Sequence, residues 1–168
     1  MHGSRVVLRP VTDADLDDLC VLFAEPEVAR WWGNFDRDRI VQDIIHDDDE
    51  GISTYTILVG GAVVGLIQSW EEPDPEYRRA NVDIALSTRW HGTGVAVDAI
   101  RTVARHLIDD KGHHHLTIDP AAGNARAIAC YRKLGFQPVG ILRNNERGAD
   151  GTFHDTLLMD LLAGELVE

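Results

Sequence analysis

The spacing of apolar residues in the first third of the chain predicts a short strand followed by two helices. Val6 to Arg9 has the composition of a strand, and Thr12 with Asp15 resembles a helix-starting capping pair. The next apolar residues keep the spacing of a core-facing helical stripe, namely Leu16, Leu19, Cys20 and Phe23. Glu25-Pro26 interrupts this stripe, and a second helix is predicted from Asp36 to Glu50.

The middle of the chain is rich in β-forming residues. Residues 53 to 59 and 62 to 70 flank Gly60-Gly61, a dipeptide that tolerates the positive φ angles of a two-residue hairpin. A polar loop containing proline follows, and the next strand is predicted from Ala80 to Ser87. Asp83 falls on the opposite face of this strand from its apolar residues, so it is either an ordinary solvent-facing residue or part of a site.

In the last half of the chain, helices and strands are predicted to alternate. An amphipathic helix is predicted from Gly94 to Lys111, a strand at HLTID (115 to 119) and a helix within residues 124 to 135. A strand from Gln137 to Arg143, a polar loop at NNERGADGT (144 to 152) and a last strand around residues 157 to 159 complete the chain.

Length and composition limit the class of protein. The chain has 168 residues, enough for one domain, and we expect a single domain from 1 to 168. No apolar run approaches eighteen residues and the start lacks a basic-then-apolar pattern, so we expect a cytoplasmic protein without a membrane segment. Cys20 and Cys130 lie in helical patterns without a C-x-x-C partner, which favours core thiols.

The net charge of −12 argues against non-specific nucleic-acid binding. Phosphate recognition needs clustered lysine and arginine, whereas here 28 acidic residues outnumber 16 basic ones. A cationic partner fits this charge better. A solvated acidic surface would give the same composition, so the charge supports a polyamine substrate without establishing one.

The segment DPAAGNARAIACYRKLGF, residues 119 to 136, concentrates the candidate chemistry. Asn124 can cap a helix, and Gly135 can end it in a left-handed conformation. Within this helix Tyr131 shares a stripe with apolar residues, as a core tyrosine or a proton donor would. Asp119 stands at the end of a strand before Pro120, where it is either a turn residue or a ligand for a cationic amine.

The segment RWHGTGVA, residues 89 to 96, precedes an amphipathic helix. Gly92 and Gly94 would let backbone N–H groups approach an anion closely, and the helix N-terminus would add its positive dipole end. A G-x-G pair alone can be any turn, but its position between a strand and a helix is more specific. The chain has no G-x-x-x-x-G-K-[ST] motif, which excludes a P-loop nucleotide triphosphatase.

The three consecutive histidines His113 to His115 are a candidate metal site, but their positions argue against it. Adjacent residues at a turn-to-strand junction point in different directions, and no paired carboxylate or cysteine stands at coordinating spacing. We therefore expect structural roles for these histidines and no bound metal.

Several of these motifs together resemble the GCN5-related N-acetyltransferases, which acylate amines with acetyl-CoA. NARAIACYRKLGF resembles their N-x-x-A-x-x-x-Y-x-K-x-G-F segment, and RWHGTGVA resembles their pyrophosphate loop. LRPVTDADL is similar to the start of many members. The DP pair at 119 and 120, the WWG at 31 to 33 and the VDI at 82 to 84 look like the aminoglycoside 6′-N-acetyltransferases, enzymes of antibiotic resistance.

The resemblance implies an α+β fold with a mixed, mostly antiparallel sheet, helices on both faces and a splayed cleft for acetyl-CoA. It implies that the cofactor is held by Ile84, Ala85, Leu86, Arg89, Gly92, Thr93, Gly94, Val95, Ala96, Asn124, Ala127 and Tyr131. The implied residues for a polycationic amine substrate are Trp31, Trp32, Gln68, Asp83, Asp119 and Asp155.

The implied reaction is direct attack of the amine on the thioester, because no cysteine or serine has an obvious base beside it. Asp83 and Asp119 would orient the amines, and Tyr131 would protonate the departing thiolate. A backbone N–H near residues 84 to 86 would stabilise the developing oxyanion. The alternatives are a protein N-terminal or polyamine acetyltransferase and a non-catalytic acyl-CoA-binding module. A monomer and a homodimer are both compatible with the sequence.

Overall fold

A computed structural model of the protein describes all residues from 1 to 168 and shows one seven-stranded sheet with the strand order β1-β2-β3-β4-β5-β7-β6. The strands are β1 Val7–Pro10, β2 Ile52–Val59, β3 Ala62–Glu71, β4 Ala80–Leu86, β5 His115–Ile118, β6 Gln137–Arg147 and β7 Phe153–Leu162. The helices are α1 Leu16–Phe23, α2 Pro26–Trp32, α3 Arg37–Ile40, α4 Val95–Arg105 and α5 Ala125–Arg132. Helices α3 and α4 continue as π-helical turns to Ile45 and Asp110.

The sheet is mixed and mostly antiparallel, as predicted. Every neighbouring pair of strands is antiparallel except β4 and β5, which are parallel. Gly60 and Gly61 have φ angles of 59° and 85°, so the predicted hairpin between β2 and β3 is confirmed. The reason is steric, because residues with a side chain rarely adopt two successive positive φ angles.

Helices cover both faces of the sheet, and each face has its own apolar core. Leu66 and Ile67 are neighbours on β3, yet they belong to different buried clusters, because successive side chains of a strand point to opposite faces. Ile67 packs in the cluster that includes α4 and α5, whereas Leu66 packs in the cluster that includes α1, α2 and α3. Cys20 and Cys130 are half-buried beside these two clusters.

Strands β4 and β5 separate soon after they begin. Their parallel pairing is confined to Ala80 with Leu116 and Asn81 with Thr117. Strand β4 stays paired with β3 as far as Leu86, so its later residues have a partner on one side only. This separation opens the sheet in front of Val82 to Leu86.

Two predicted elements have different bounds in the structure. The predicted loop at 144 to 152 is shorter, because β6 extends to Arg147 and pairs Glu146 with His154. Side chains along this edge strand are almost all exposed, so no apolar alternation marked it in the sequence. The helix predicted from Asp36 to Glu50 ends at Ile45, and the acidic residues 47 to 50 lie in a connection before β2.

The three histidines point in different directions, as expected from their position. His113 is buried and its Nε2 lies 2.8 Å from Glu71 Oε2, while His114 is exposed. His115 Nε2 lies 3.3 Å from Asp160 Oδ2 on the neighbouring strand β7. None of the helices combines the length and apolarity needed to traverse a bilayer.

Candidate active site

A cavity of about 810 Å³ lies where β4 and β5 separate. Its walls come from α2, β4, the N-terminus of α4, α5 and the end of β6. Most of the residues predicted to form the site line this cavity: Trp31, Trp32, Asp83, Ile84, Ala85, Leu86, Gly92, Thr93, Gly94, Ala96, Asp119, Asn124, Ala127 and Tyr131. Tertiary folding therefore brings four separate segments of the sequence to one cleft.

The loop before α4 presents backbone donors at one end of the cavity. Gly92 and Gly94 have φ angles of 75° and 88°, and a Cβ added at Gly94 would meet no protein atom closer than 3.9 Å. These glycines are thus required by their backbone conformation rather than by protein crowding. The N–H groups of Gly94, Val95 and Ala96 have no acceptor within the protein, which is the arrangement of an anion-binding helix N-terminus.

Asn124 begins helix α5, as predicted. Its side-chain oxygen accepts a hydrogen bond from the N–H of Ala127 at 3.1 Å. The cap uses the oxygen and leaves the amide NH₂ free to donate toward the cavity that Asn124 lines. Helix α5 therefore positions both the side-chain amide of Asn124 and, two turns later, the ring of Tyr131.

Tyr131 is buried, and its ring packs against Phe136 at 6.2 Å between centroids. The hydroxyl has no hydrogen-bond partner in the protein and is reached from the cavity. Burial, reinforced by the negative charge of Asp83, raises the pKa of Tyr131 well above its ordinary value of 10. The phenol is therefore protonated at neutral pH and can donate a hydrogen bond or a proton.

Asp83 lines the cavity from β4, and its side chain is exposed to the open cleft. Its Oδ1 accepts a hydrogen bond from the N–H of Ile84 at 2.8 Å. Desolvation by the walls of the cleft raises the pKa of Asp83 to about 7, and the charges of Asp119 and Glu146 act in the same direction. Near neutral pH this carboxyl group can therefore both accept and release a proton.

Asp119 lies directly after β5 and is held by two amides. Its Oδ1 accepts from Asn81 Nδ2 at 3.2 Å, and its Oδ2 accepts from Asn145 Nδ2 at 3.3 Å. Neutral amide donors orient the carboxylate without neutralising it. Asp119 can therefore still attract a cation.

Glu146 is a further carboxylate of the cavity that the sequence did not indicate. Burial raises its pKa, and the neighbouring charge of Asp119 adds to the effect. Glu146 and Asn145 were assigned to a polar loop because nothing in the local pattern showed that β6 continues to Arg147. Like charges converge here at a cost in stability, and such groups are common where a protein binds an oppositely charged ligand.

Trp31 and Trp32 end helix α2, and both line the cavity. Both side chains are half-buried. Trp32 reaches the gap in the sheet, where its Nε1 donates to the carbonyl of Ile84 at 3.2 Å. Trp31 donates weakly to Glu27 at 3.4 Å, and its ring lies 4.6 Å from the guanidinium carbon of Arg30.

Four predicted site residues do not line the cavity. Gln68 pairs with Asp83 across the strands but donates to Thr54 Oγ1 at 3.0 Å. Arg89 is exposed and lies over the ring of Trp90, and the side chain of Val95 is buried in the core, so only its N–H can contribute. Asp155 faces a neighbouring pocket and accepts the N–H of Asn144, whose φ angle is 49°.

Alternate residues of β4 direct their backbone N–H and C=O groups into the gap between β4 and β5. The N–H of Ser87 bonds to Val64 on β3, whereas the carbonyls of Ile84 and Leu86 accept from Trp32 and His91 outside that pairing. The N–H groups of Ile84 and Leu86 therefore also face away from β3. Because Asp83 accepts the N–H of Ile84, the N–H of Leu86 is the donor available to a developing oxyanion.

Cys130 also lines the cavity but is not suited to be a nucleophile. Burial raises the pKa of its thiol to about 11, so the thiolate is scarce at neutral pH. No histidine or carboxylate forms a hydrogen bond with it. The site therefore favours direct transfer between two bound substrates over a covalent acyl-enzyme.

Comparison with known protein families gives one match that spans most of the chain. The family described as acetyltransferase (GNAT) domain matches residues 5–137. The aminoglycoside N(6′)-acetyltransferase type 1 of Klebsiella pneumoniae is 26% identical over 155 residues, which cover 82% of this chain and 77% of that protein. The spermidine N(1)-acetyltransferase of Escherichia coli strain K12 is 28% identical over 160 residues, covering 92% and 84%.

Solved structures share the same fold. The aminoglycoside acetyltransferase AAC(6′)-Ib in complex with coenzyme A has a TM-score of 0.78 at 24% identity, covering 94% of each chain. The spermidine N-acetyltransferase of Vibrio cholerae in complex with CoA and spermine has a TM-score of 0.82 at 19% identity, covering 97% of this chain and 98% of that one.

Proposed function

The chain belongs to the GNAT acetyltransferase family, and on this premise we propose that it transfers an acetyl group from acetyl-CoA to an amine of a polycationic small molecule, the 6′-amine of an aminoglycoside. The observation that carries the proposal is the convergence of the carboxylates of Asp83, Asp119 and Glu146 in the cavity that is also lined by Tyr131. A cytoplasmic location is part of the same proposal.

The residues at the start of α4 fit the diphosphate of coenzyme A. Their unpaired N–H groups and the positive end of the helix dipole supply anion binding without a lysine. The gap beside β4 offers space in which the extended pantetheine arm can lie, between that strand and α5. The free amide NH₂ of Asn124 would donate to the same arm.

The acceptor side of the cavity fits several amines. Asp119 and Glu146 would bind protonated amines that do not react, and each charge-assisted hydrogen bond is worth about 1.5–3 kcal/mol. The bound cations would also reduce the electrostatic repulsion among the carboxylates of the cavity. Trp31 and Trp32 form the facing wall, which suits the apolar faces of sugar rings.

In the proposed reaction a C–N bond forms, a C–S bond breaks, the nitrogen loses two protons and the leaving thiolate gains one. Asp83, with a pKa of about 7, takes a proton from the reacting ammonium group directly or through water, so that the neutral amine can attack the thioester carbon. The N–H of Leu86 stabilises the negative charge that develops on the carbonyl oxygen. As the C–S bond breaks, the nitrogen releases its second proton to water, and Tyr131 donates its own proton to the departing thiolate and regains one from solvent.

A linear polyamine is the second candidate acceptor. The match to a spermidine N(1)-acetyltransferase covers 92% of this chain, more than the 82% covered by the aminoglycoside enzyme. The wall formed by Trp31 and Trp32 favours the aminoglycoside, because flat aromatic faces pack better against a sugar ring than against a flexible polyamine chain. A polyamine would satisfy the carboxylates equally well.

A substrate panel tests the proposal. The purified protein would be assayed for thiol release from acetyl-CoA with kanamycin, with a kanamycin derivative that lacks the free 6′-amine, with spermidine and with a peptide. We expect turnover of kanamycin and none of the derivative. Equal use of both aminoglycosides would refute the 6′-amine assignment, and preferential use of spermidine would make the second candidate correct.

A further inference from the structure

The N-terminal segment crosses the first turn of α4 and is held there by a buried carboxylate. Asp98 is only 5% exposed and accepts the N–H groups of Ser4, Arg5 and Val6 at 3.1, 2.7 and 3.1 Å. The hydroxyl of Ser4 donates to the same carboxylate at 2.9 Å. Burial alone would raise the pKa of Asp98, but these hydrogen bonds outweigh it and lower the pKa below the ordinary value. Asp98 therefore stays ionised and fixes three consecutive residues.

Gly3 is part of the same attachment. A Cβ at this position would lie 2.5 Å from Asp98 Oδ2 and 2.6 Å from Thr102 Oγ1, both on α4. Only glycine lets the backbone pass this close to the helix. The path of the segment is thus specified by its own sequence and by two side chains of α4.

This attachment sends the side chain of Arg5 to the loop before α4. Its Nη1 donates to the carbonyl of Thr93 at 2.9 Å, and a Cβ at Gly94 would lie 3.9 Å from its guanidinium carbon. Arg5 has no carboxylate within 4 Å, although acidic residues outnumber basic ones in this chain. A guanidinium carries five N–H donors, so four remain available beside the unpaired N–H groups of the helix.

We propose that Arg5 is a phosphate-binding residue of the cofactor site, where its guanidinium contacts the diphosphate of acetyl-CoA beside the helix N-terminus. The proposal rests on the function proposed above. Two contacts support it: Thr93 fixes the guanidinium beside Gly94, and Asp98 holds the backbone that carries it. Arg5 thereby adds a full positive charge beside the backbone dipoles of the helix N-terminus.

The test compares acetyl donors that differ only in their phosphates. Arg5→Gln should raise the KM for acetyl-CoA about 10-fold, the scale of one charge-assisted hydrogen bond at a partly exposed site. The KM for S-acetylpantetheine, which has the same thioester but no phosphate, should stay within about twofold. Arg5→Lys should recover part of the loss because it keeps the charge. Arg101→Gln is the matched control, since Arg101 donates to the carbonyl of Val167 elsewhere on α4.

A comparison with acetyl-dephospho-CoA, which lacks only the 3′-phosphate, shows which phosphate group of the cofactor Arg5 contacts. An equal loss with acetyl-CoA and acetyl-dephospho-CoA supports the diphosphate, whereas a loss with acetyl-CoA alone would overturn it. A KM that rises equally for S-acetylpantetheine, or does not change at all, would also refute the proposal. If the proposed function itself were wrong, the wild-type protein would use none of these acetyl donors, and this result differs from every outcome described for the Arg5 variants.

Discussion

Replacing Tyr131 by phenylalanine should separate catalysis from folding in one step, because the substitution removes only the hydroxyl oxygen. The ring keeps its buried position against Phe136, and the hydroxyl has no hydrogen-bond partner in the protein. No intramolecular hydrogen bond is lost. The free energy of unfolding should therefore change by no more than about 0.5 kcal/mol.

The expected kinetic loss follows from the role of the hydroxyl. One general acid contributes about 100- to 10,000-fold, so kcat should fall by that factor, or about 2.7–5.5 kcal/mol in the activation free energy. The KM for acetyl-CoA should change little, since the proton is needed when the thiolate leaves. Because the pKa of Tyr131 lies well above 10, the loss should be uniform between about pH 6 and 9.

The assay is thiol release at saturating acetyl-CoA and acceptor, with a single-turnover experiment in case product release limits kcat. Tyr77→Phe is the matched control, because Tyr77 is 65% exposed and lies outside the cavity. If the folded Tyr131→Phe protein keeps kcat within about twofold of wild type, a water or another group protonates the thiolate and the assignment is wrong.

Three further predictions concern the loop and the two aspartates. Gly94→Val should weaken coenzyme A binding at least about 10-fold in calorimetry, because a β-branched residue does not tolerate a φ of 88°; unchanged affinity in a folded variant would exclude the loop. Wild-type kcat/KM should rise with pH to a plateau above about 7 as Asp83 ionises, and Asp83→Asn should remove that rise. Folding raises the pKa of Asp83, so the contribution of its protonated carboxyl group to stability is lost as pH rises through about 7. Asp83→Asn should therefore increase the Tm more at high pH than at low pH. An equal increase at both pH values would contradict this pH dependence. Asp119→Asn should lower kcat/KM for an aminoglycoside by about 1.5–3 kcal/mol with little change in acetyl-CoA affinity, and equal losses for both substrates would indicate a structural role.

The sequence by itself determined the local parts of this protein. The cap at Asn124 and the two-glycine hairpin depend on residues within a few positions of one another, and such short-range preferences are visible in one sequence. The helix after Gly94 was predicted for the same reason, from the spacing of its apolar stripe. The resemblance of these segments to one family was sufficient to indicate acetyl transfer.

Only the tertiary structure decided which groups meet. Glu146 enters the cavity because an exposed edge strand extends further than its polar sequence indicated, and Arg5 reaches a carbonyl 88 positions away through its attachment to Asp98. The pKa of Asp83 likewise depends on the cleft around it and on charges from two distant segments. Hydrophobic periodicity reports which face of an element is buried, but it carries no information about the partner that the other face will meet.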